Sequence, residues 1–512
     1  MIDTHLQKLM GERLRQASYL LVLVVVYLFI DFVSYRNITI VVYGLVGFGV
    51  VLTIVNFRWG FYYLLGLYLF SDDTPRIMEL AESKSFASVH FTMLGGYTLS
   101  LICTIFVAYM LHLRLLGFRT DFWPRFGVVD RIMVSLVAVY AAGGIIGLPN
   151  LLQFPREYMT DLGYIVNTIV YYLVVRIILN KPEDIRYIIF LLTTGYGVKC
   201  LVGIAYFSLG VGHEAALNVR VLFESGRTLL VMTFFLCLAL ILFGKSLLNR
   251  EHRVFLLISG FAMVFNIITF ASRLNMIFLV LGFGLFVYYA HKEKGGGLGT
   301  AVGVLMLVGI SVSTVAVIRP GALDYVWWKL ISLQDWSLNS DMDLGSLSIA
   351  IRLIQLLNIV YMHINEGTYI WGTGLGGWFT DEYFSYPADF IAMSVANERE
   401  IRLGRFFKPA TMSMVVLLKF GFVGFIIYYS ILIKLFITTG RIYLRAQDHF
   451  AKAVLLGILV ALPVYFDKNH TSKINAFYGI AIGIVANVEQ NNRKRRDKEK
   501  PVPELHHQQS GS

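Results

Sequence analysis

Arg273 stands between two apolar stretches, 254–271 and 274–291, at a boundary where the charge pattern of the rest of the chain disfavours cations. Short connections on the same side carry Arg220 and Arg227, and one long connection carries Arg319, Arg352, Arg399, Arg402 and Arg405. A guanidinium keeps its charge beside lipid and presents a planar five-donor fork that grips phosphate oxygens two at a time. The chemistry such a set suits is the capture of an anionic headgroup, a diphosphate above all. The plainer use of each arginine is to cap a helix end, to reach lipid phosphate, or to pair with Glu214, Glu224 or Asp343.

A base able to take a hydroxyl proton would come from the carboxylates of the long connection: Glu366, Asp381, Glu382, Glu398 or Glu400. A solvated loop acid is the commoner fate of each. His363 reads as a surface or packing residue of a helix, and His470 lies in a connection that approaches the same side. Inside apolar stretches, Asp31, Arg176, Lys199 and Lys419 are costly and so functional suspects. Arg176 and Lys434 are able to snorkel inward, whereas Lys199 and Lys419 are placed to join a basic cavity. Gly372-Thr-Gly-Leu-Gly-Gly377 lacks the lysine and the strand-to-helix setting of a phosphate loop, and reads as a tight turn.

The elements that must position these groups follow from composition. The chain has 512 residues, 57% of them hydrophobic and 15% charged, with a mean hydropathy of +0.66. That excludes the soluble enzyme classes and describes an all-α integral membrane protein, a helical bundle of about twelve to fourteen spans. Apolar stretches fall at 18–33, 38–56, 58–71, 92–112, 131–149, 162–180, 187–208, 228–245, 254–271, 274–291, 299–318, 411–437, 452–466 and 473–488. The third is short, and 38–71 also reads as one helix plus a re-entrant piece. Lys and Arg recur in alternate connections, which puts those connections and both termini in the cytoplasm. The net charge of +11 is explained by this topology and needs no nucleic acid.

The division expected is a cytoplasmic N-terminus at 1–17, eleven spans over 18–318, a large outer loop at 319–410, three spans over 411–488 and a basic tail at 489–512. Within the loop, the segment from Ser346 to His363 offers a cap followed by apolar positions at helical spacing. It predicts an amphipathic helix over 347–363 that packs on the bundle. Cys103, Cys200 and Cys237 all fall in apolar stretches and read as buried packing.

Several motifs, taken in order, carry a family resemblance. Arg220-Val-Leu-Phe-Glu-Ser-Gly226 precedes one span, Thr269-Phe-Ala-Ser-Arg273 opens another, Arg352 lies on a helix leading to Gly372–Phe379, and Lys419-Phe-Gly-Phe-Val-Gly424 lies in the next span. Together they resemble the O-antigen ligase and polymerase superfamily, over roughly the middle and C-terminal part of the chain. The resemblance implies a type C glycosyltransferase of the bacterial inner membrane with the long loop in the periplasm. It implies an undecaprenyl-diphosphate-linked glycan as donor and acceptor, and a chain-length regulator and a flippase as protein partners. Arg220, Arg273 and Arg352, flanked by Arg227 and Arg319, would bind the donor diphosphate. Glu366, Asp381, Glu398 and Glu400 would be the candidate catalytic carboxylates. Neither a metal nor another cofactor is expected, since the lipid diphosphate is itself an activated leaving group; the Asp341-Met-Asp343 motif is then a chance match.

One departure directs the reading. Ligases of the superfamily carry a histidine about eleven residues before the first glycine of the GxxG element, and here that position is Ala410. The reading therefore favours a polymerase, making O-antigen or exopolysaccharide, over ligase-type transfer to another acceptor. A lipid-linked oligosaccharide flippase or other transporter, and a non-catalytic assembly protein, are the readings from other classes. A transporter would carry two related halves, interrupted helices at matching positions and charges near the middle of the bilayer, whereas this sequence shows an asymmetric layout with one dominant outer loop.

Overall fold

The computed structural model describes residues 39–70, 87–116, 126–208, 227–243, 250–269, 273–294, 297–318, 344–386, 398–467 and 472–499, with a few positions in 22–29 and 321–324. In chain order the helices are α1 (Thr39–Val55), α2 (Phe57–Phe70), α3 (Ala87–Leu115), α4 (Val128–Ile146), α5 (Leu148–Gln153), α6 (Pro155–Ile177), α7 (Pro182–Ser208) and α8 (Arg227–Phe243). They continue as α9 (Arg250–Thr269), α10 (Arg273–Lys294), α11 (Gly297–Ile318), α12 (Leu344–Asn365), α13 (Glu398–Leu403), α14 (Met412–Arg445), α15 (His449–Asp467) and α16 (Ser472–Glu499). The described residues form no strand, only an isolated bridge between Phe379 and Phe406.

Among the described residues, five helices are long and apolar enough to cross a membrane: Val128–Ile146, Pro182–Ala205, Arg250–Thr269, Met276–Glu293 and Met412–Arg445. Ile40–Val55, Thr98–Leu113, Leu229–Phe243, Val302–Ile318 and His449–Val464 are shorter and equally apolar in character. The chain is thus an all-α membrane protein. The stretch 38–71 resolves into two helices joined at one residue, Asn56, whose Oδ1 accepts from the backbone N–H of Arg58 (3.1 Å) and Trp59 (3.4 Å) and so starts α2. The span expected at 162–180 begins earlier, at Pro155, and the short α5 precedes it. All three cysteines are buried and none forms a disulfide.

The helix of the long connection runs Leu344–Asn365, longer than 347–363 at both ends. Ser346 therefore lies inside its first turn and is not its cap. The spacing of apolar residues marked the buried face correctly, with Ile351, Ile359 and Met362 buried against Met414, Leu417 and Leu418 of α14.

At the centre of the bundle α6 and α16 lie in close parallel contact. A Cβ on Gly479 would fall 2.3 Å from the Thr168 carbonyl oxygen, and one on Gly483 would fall 2.8 Å from Val175 Cβ. Small residues four apart let two backbones approach where lipid offers no hydrophobic drive. One end of this core is tied by a buried ion pair. Arg176 meets Asp130 through both edges, Nε to Oδ1 at 2.8 Å and Nη2 to Oδ2 at 3.0 Å. Its Nη1 donates to Asn487 Oδ1 at 2.9 Å and Gln490 Oε1 at 2.5 Å. Arg176 thus does not snorkel; its side chain is 3% exposed. Beside it, Glu489 accepts the N–H groups of Val128 and Val129 at 3.0 and 3.1 Å, placing negative charge at the start of α4.

Gly479→Ala is expected to lower stability by roughly 1–3 kcal/mol, because the new methyl meets backbone and cannot be relieved by a rotamer change. Thermal unfolding of the two proteins in the same detergent reads this directly.

Candidate functional site

The site is built around a break in α14. Thr411 caps the helix, its hydroxyl accepting from Met414 N. Ten residues after Thr411, Gly421 adopts φ 66° and ψ −171°, a conformation closed to residues with a Cβ. The carbonyls leading into the break take donors from outside the helix: His363 Nε2 donates to Leu417 O at 3.0 Å, Thr373 donates to Leu418 O through both N–H and hydroxyl at 2.9 Å, and Gly374 N donates to Lys419 O at 2.9 Å. On the far side of the break Phe422 N donates to Tyr369 O at 2.8 Å.

Residues 372–377 supply those donors because their glycines take φ near +70°: Gly372 at 74°, Gly374 at 74° and Gly376 at 71°. A Cβ on Gly372 would fall 2.5 Å from Gly421 N, and one on Gly374 would fall 2.2 Å from Gly147 N. The turn also holds the end of α4, since Leu375 N donates to Gly143 O at 3.0 Å. Asn150 of α5 donates to Thr373 O at 2.7 Å and Leu375 O at 3.0 Å. It is a tight turn, as its sequence predicts, and its N–H groups are spent on protein carbonyls and one carboxylate.

That carboxylate is Asp161 of α6. Its Oδ2 accepts from Gly376 N at 2.7 Å and from the Lys419 ammonium at 2.9 Å. Lys419 Nζ also donates to Gly377 O at 2.6 Å. Beside the pair lies a cavity of about 250 Å³, lined by Asp161, Tyr164, Lys408, Lys419, the rings of Tyr140, Phe407 and Phe420, and aliphatic residues. Lys408 donates to the Tyr164 hydroxyl at 2.9 Å. Lys408 is exposed; partial desolvation by its neighbours opposes its charge, but Tyr164, then Asp161 and Glu400, outweigh that and hold the ammonium above the usual lysine value. Lys419 therefore lines a cavity, though one whose described lining holds no arginine; Lys199 does not line it and is buried in α7 over the Tyr196 ring.

The expected arginines fall out unevenly. Arg220 and Arg319 lie outside the described residues, as do Asp31, Asp341, Asp343 and His470. Arg227 and Arg273 are described by their backbone only, as the first residues of α8 and α10. Both begin at the cavity's end of the bundle: Phe243 and Tyr289, towards the other ends of these helices, both pack on Tyr443, far along α14 from Lys419. Arg352 is exposed on α12. Two further arginines serve structure: Arg399 pairs with Glu157 at 2.6 Å, and Arg405 lies over the rings of Trp378 (4.2 Å) and Phe154 (5.2 Å).

Among the expected carboxylates, Glu400 is buried and accepts from Phe407 N at 2.9 Å, fixing the turn after α13. Asp381 is half-buried, and Glu398 is described by its backbone only. Glu366 follows α12, its carboxyl raised above the usual range by desolvation and by Glu382. His363 is not a surface residue but fully buried. Its Nε2 must carry the proton given to Leu417 O, so Nδ1 accepts from the Thr368 hydroxyl at 2.7 Å. Sequence reasoning missed Asp161, because the span was drawn from 162 and left it as a loop acid. The available signal was Lys419, since a lysine inside an apolar span calls for a carboxylate on a neighbouring helix.

Gly421→Ala is expected to destabilise the protein by at least roughly 1–3 kcal/mol from backbone strain alone, since a Cβ there also falls 2.6 Å from Gly372 N. His363 gives a pH dependence. Burial, partly offset by the bond to Leu417 O, lowers its value in the folded state. The unfolded chain therefore binds the proton first, and stability falls as pH drops below about 6.5, by at most about 1.4 kcal/mol per pH unit. Melting temperature against pH should carry this decline in the wild type, and His363→Gln should flatten it. Comparison with protein-family models and with curated proteins finds no match for this chain.

Proposed function

We propose that this protein is a membrane glycosyltransferase that polymerises undecaprenyl-diphosphate-linked repeat units, as O-antigen or exopolysaccharide, at the periplasmic face of the bacterial inner membrane. On this reading the fold is type C-like with twelve to fourteen spans, both termini are cytoplasmic and 319–410 is periplasmic. The observation that carries it is the cavity at one end of the bundle where Asp161, Lys408 and Lys419 meet, the same end at which α8 and α10 begin with Arg227 and Arg273. Helix N-termini carry partial positive charge, which adds to the guanidiniums in attracting a diphosphate. A departing lipid diphosphate gains negative charge at the bridging oxygen, and preorganised cations in a partly dry site lower that barrier. Arg220, Arg273 and Arg352 are assigned to the donor diphosphate.

A transport reading draws on the break at Gly421, since interrupted helices often bind ions or substrates in transporters. Here the carbonyls of Leu417, Leu418 and Lys419 beside the break accept from His363, Thr373 and Gly374. The break acts as a joint in the scaffold, which favours the transferase.

The experiment is reconstitution in liposomes with lipid-linked repeat units extracted from the source cell after deletion of this gene. Glycan lengthening with release of lipid diphosphate is the expected outcome; lipid scrambling without lengthening supports transport instead. Arg273→Ala should cut elongation about 10²–10³-fold, the usual loss when a group stabilising transition-state charge is removed. Arg273→Lys should restore only part, because it keeps charge but loses the fork.

A further inference from the structure

We propose, on the basis of the transferase reading, that Asp161 receives the proton of the attacking acceptor hydroxyl and that the cavity beside it seats the terminal sugar ring of the acceptor. The argument begins with how the carboxylate is held. Asp161 Oδ2 takes both anchors, Gly376 N–H at 2.7 Å and the Lys419 ammonium at 2.9 Å. Its Oδ1 accepts no hydrogen bond among the described residues, and the side chain, 13% exposed, lines the cavity. One oxygen is fixed and the other is left to a guest. A base must be oriented before it is useful, and here the orientation comes from a backbone amide in a glycine turn and from a buried lysine, neither able to drift.

The cavity matches a pyranose ring in both size and character. At about 250 Å³ it lies below the roughly 300–1,000 Å³ of sites for drug-sized ligands, so it takes one ring and not an oligosaccharide. The rings of Tyr140, Phe407 and Phe420 offer apolar faces to sugar C–H groups, while Asp161, Tyr164 and Lys408 offer an acceptor, a hydroxyl and a cation to the ring hydroxyls. In the reaction the acceptor oxygen bonds to the donor's anomeric carbon as the bond from that carbon to the diphosphate oxygen breaks. The electron pair leaves with the lipid diphosphate, and the hydroxyl proton passes to Asp161 Oδ1 and then to water.

The test is elongation kinetics in the same liposomes with the same extracted lipid-linked repeat units. Asp161→Asn should lower kcat by about 10²–10⁴-fold, the range for a lost general base, with KM for the lipid-linked substrate within threefold of wild type. The acid limb of the wild-type profile of kcat against pH should be absent from the variant. The charged and titratable groups facing Asp161 are Lys419 from α14, Lys408 and Tyr164, all of which remain in it. Because Asp161→Asn leaves Lys419 buried without its carboxylate, the double variant Asp161→Asn/Lys419→Met is measured beside it and should show the same loss with normal thermal stability. Elongation within threefold of wild type in either variant overturns the assignment and leaves the transferase reading standing. A wild-type protein that gives no elongation removes the transferase reading and this assignment with it.

Discussion

The break at Gly421 and the turn that closes it determine the geometry of this end of the molecule. A helix interrupted inside a membrane exposes carbonyls that lipid cannot satisfy, at a cost of several kcal/mol each. The protein answers with a turn whose glycines bring backbone amides into contact with the break: Gly374 reaches the Lys419 carbonyl and Thr373 the Leu418 carbonyl. Because the same turn bonds to Gly143 of α4, Asn150 of α5 and Asp161 of α6, satisfying the broken helix also fixes four helices relative to one another. The cavity exists where they meet, and its wall cannot move without unmaking those bonds.

The two ends of the bundle manage buried charge in contrasting ways. At one, Asp130 and Arg176 are enclosed by Tyr172, Asn487 and Gln490, and all of their bonds serve the fold. At the other, Asp161 and Lys419 are paired but border open volume. A fully satisfied network rigidifies, while one with an oxygen in reserve is available to a ligand. The difference separates scaffold from site more clearly than burial alone, since both pairs are largely shielded from solvent.

Much of the helical scaffold was legible in the sequence because the length of an apolar stretch is a strong signal. Every apolar stretch from 38–56 onward coincides with a helix, and Arg273 opens one as expected. The reading of Gly372–Gly377 as a turn held, but its target was not readable, because nothing local marks Gly421 as a break within an apolar run. Lys419 stood out as an intramembrane cation, and its partner did not, because Asp161 is distant in sequence and sits where a helix was drawn seven residues too short. The surface alternative for His363 failed for a related reason: its burial and its bond to the Leu417 carbonyl depend on α14 packing against it, which nothing local to His363 announces.

Glu489, Asn487 and Gln490 carry a consequence for biosynthesis. They belong to α16, 311 to 361 residues later in the chain than the groups they serve, yet they complete the bonding of Arg176 and of the first amides of α4. Helices made much earlier must therefore wait in the membrane with part of their polar complement unmet until α16 has been made. A nascent chain cut short before α16 retains that deficit, and its unmet polar groups mark it out to membrane proteases.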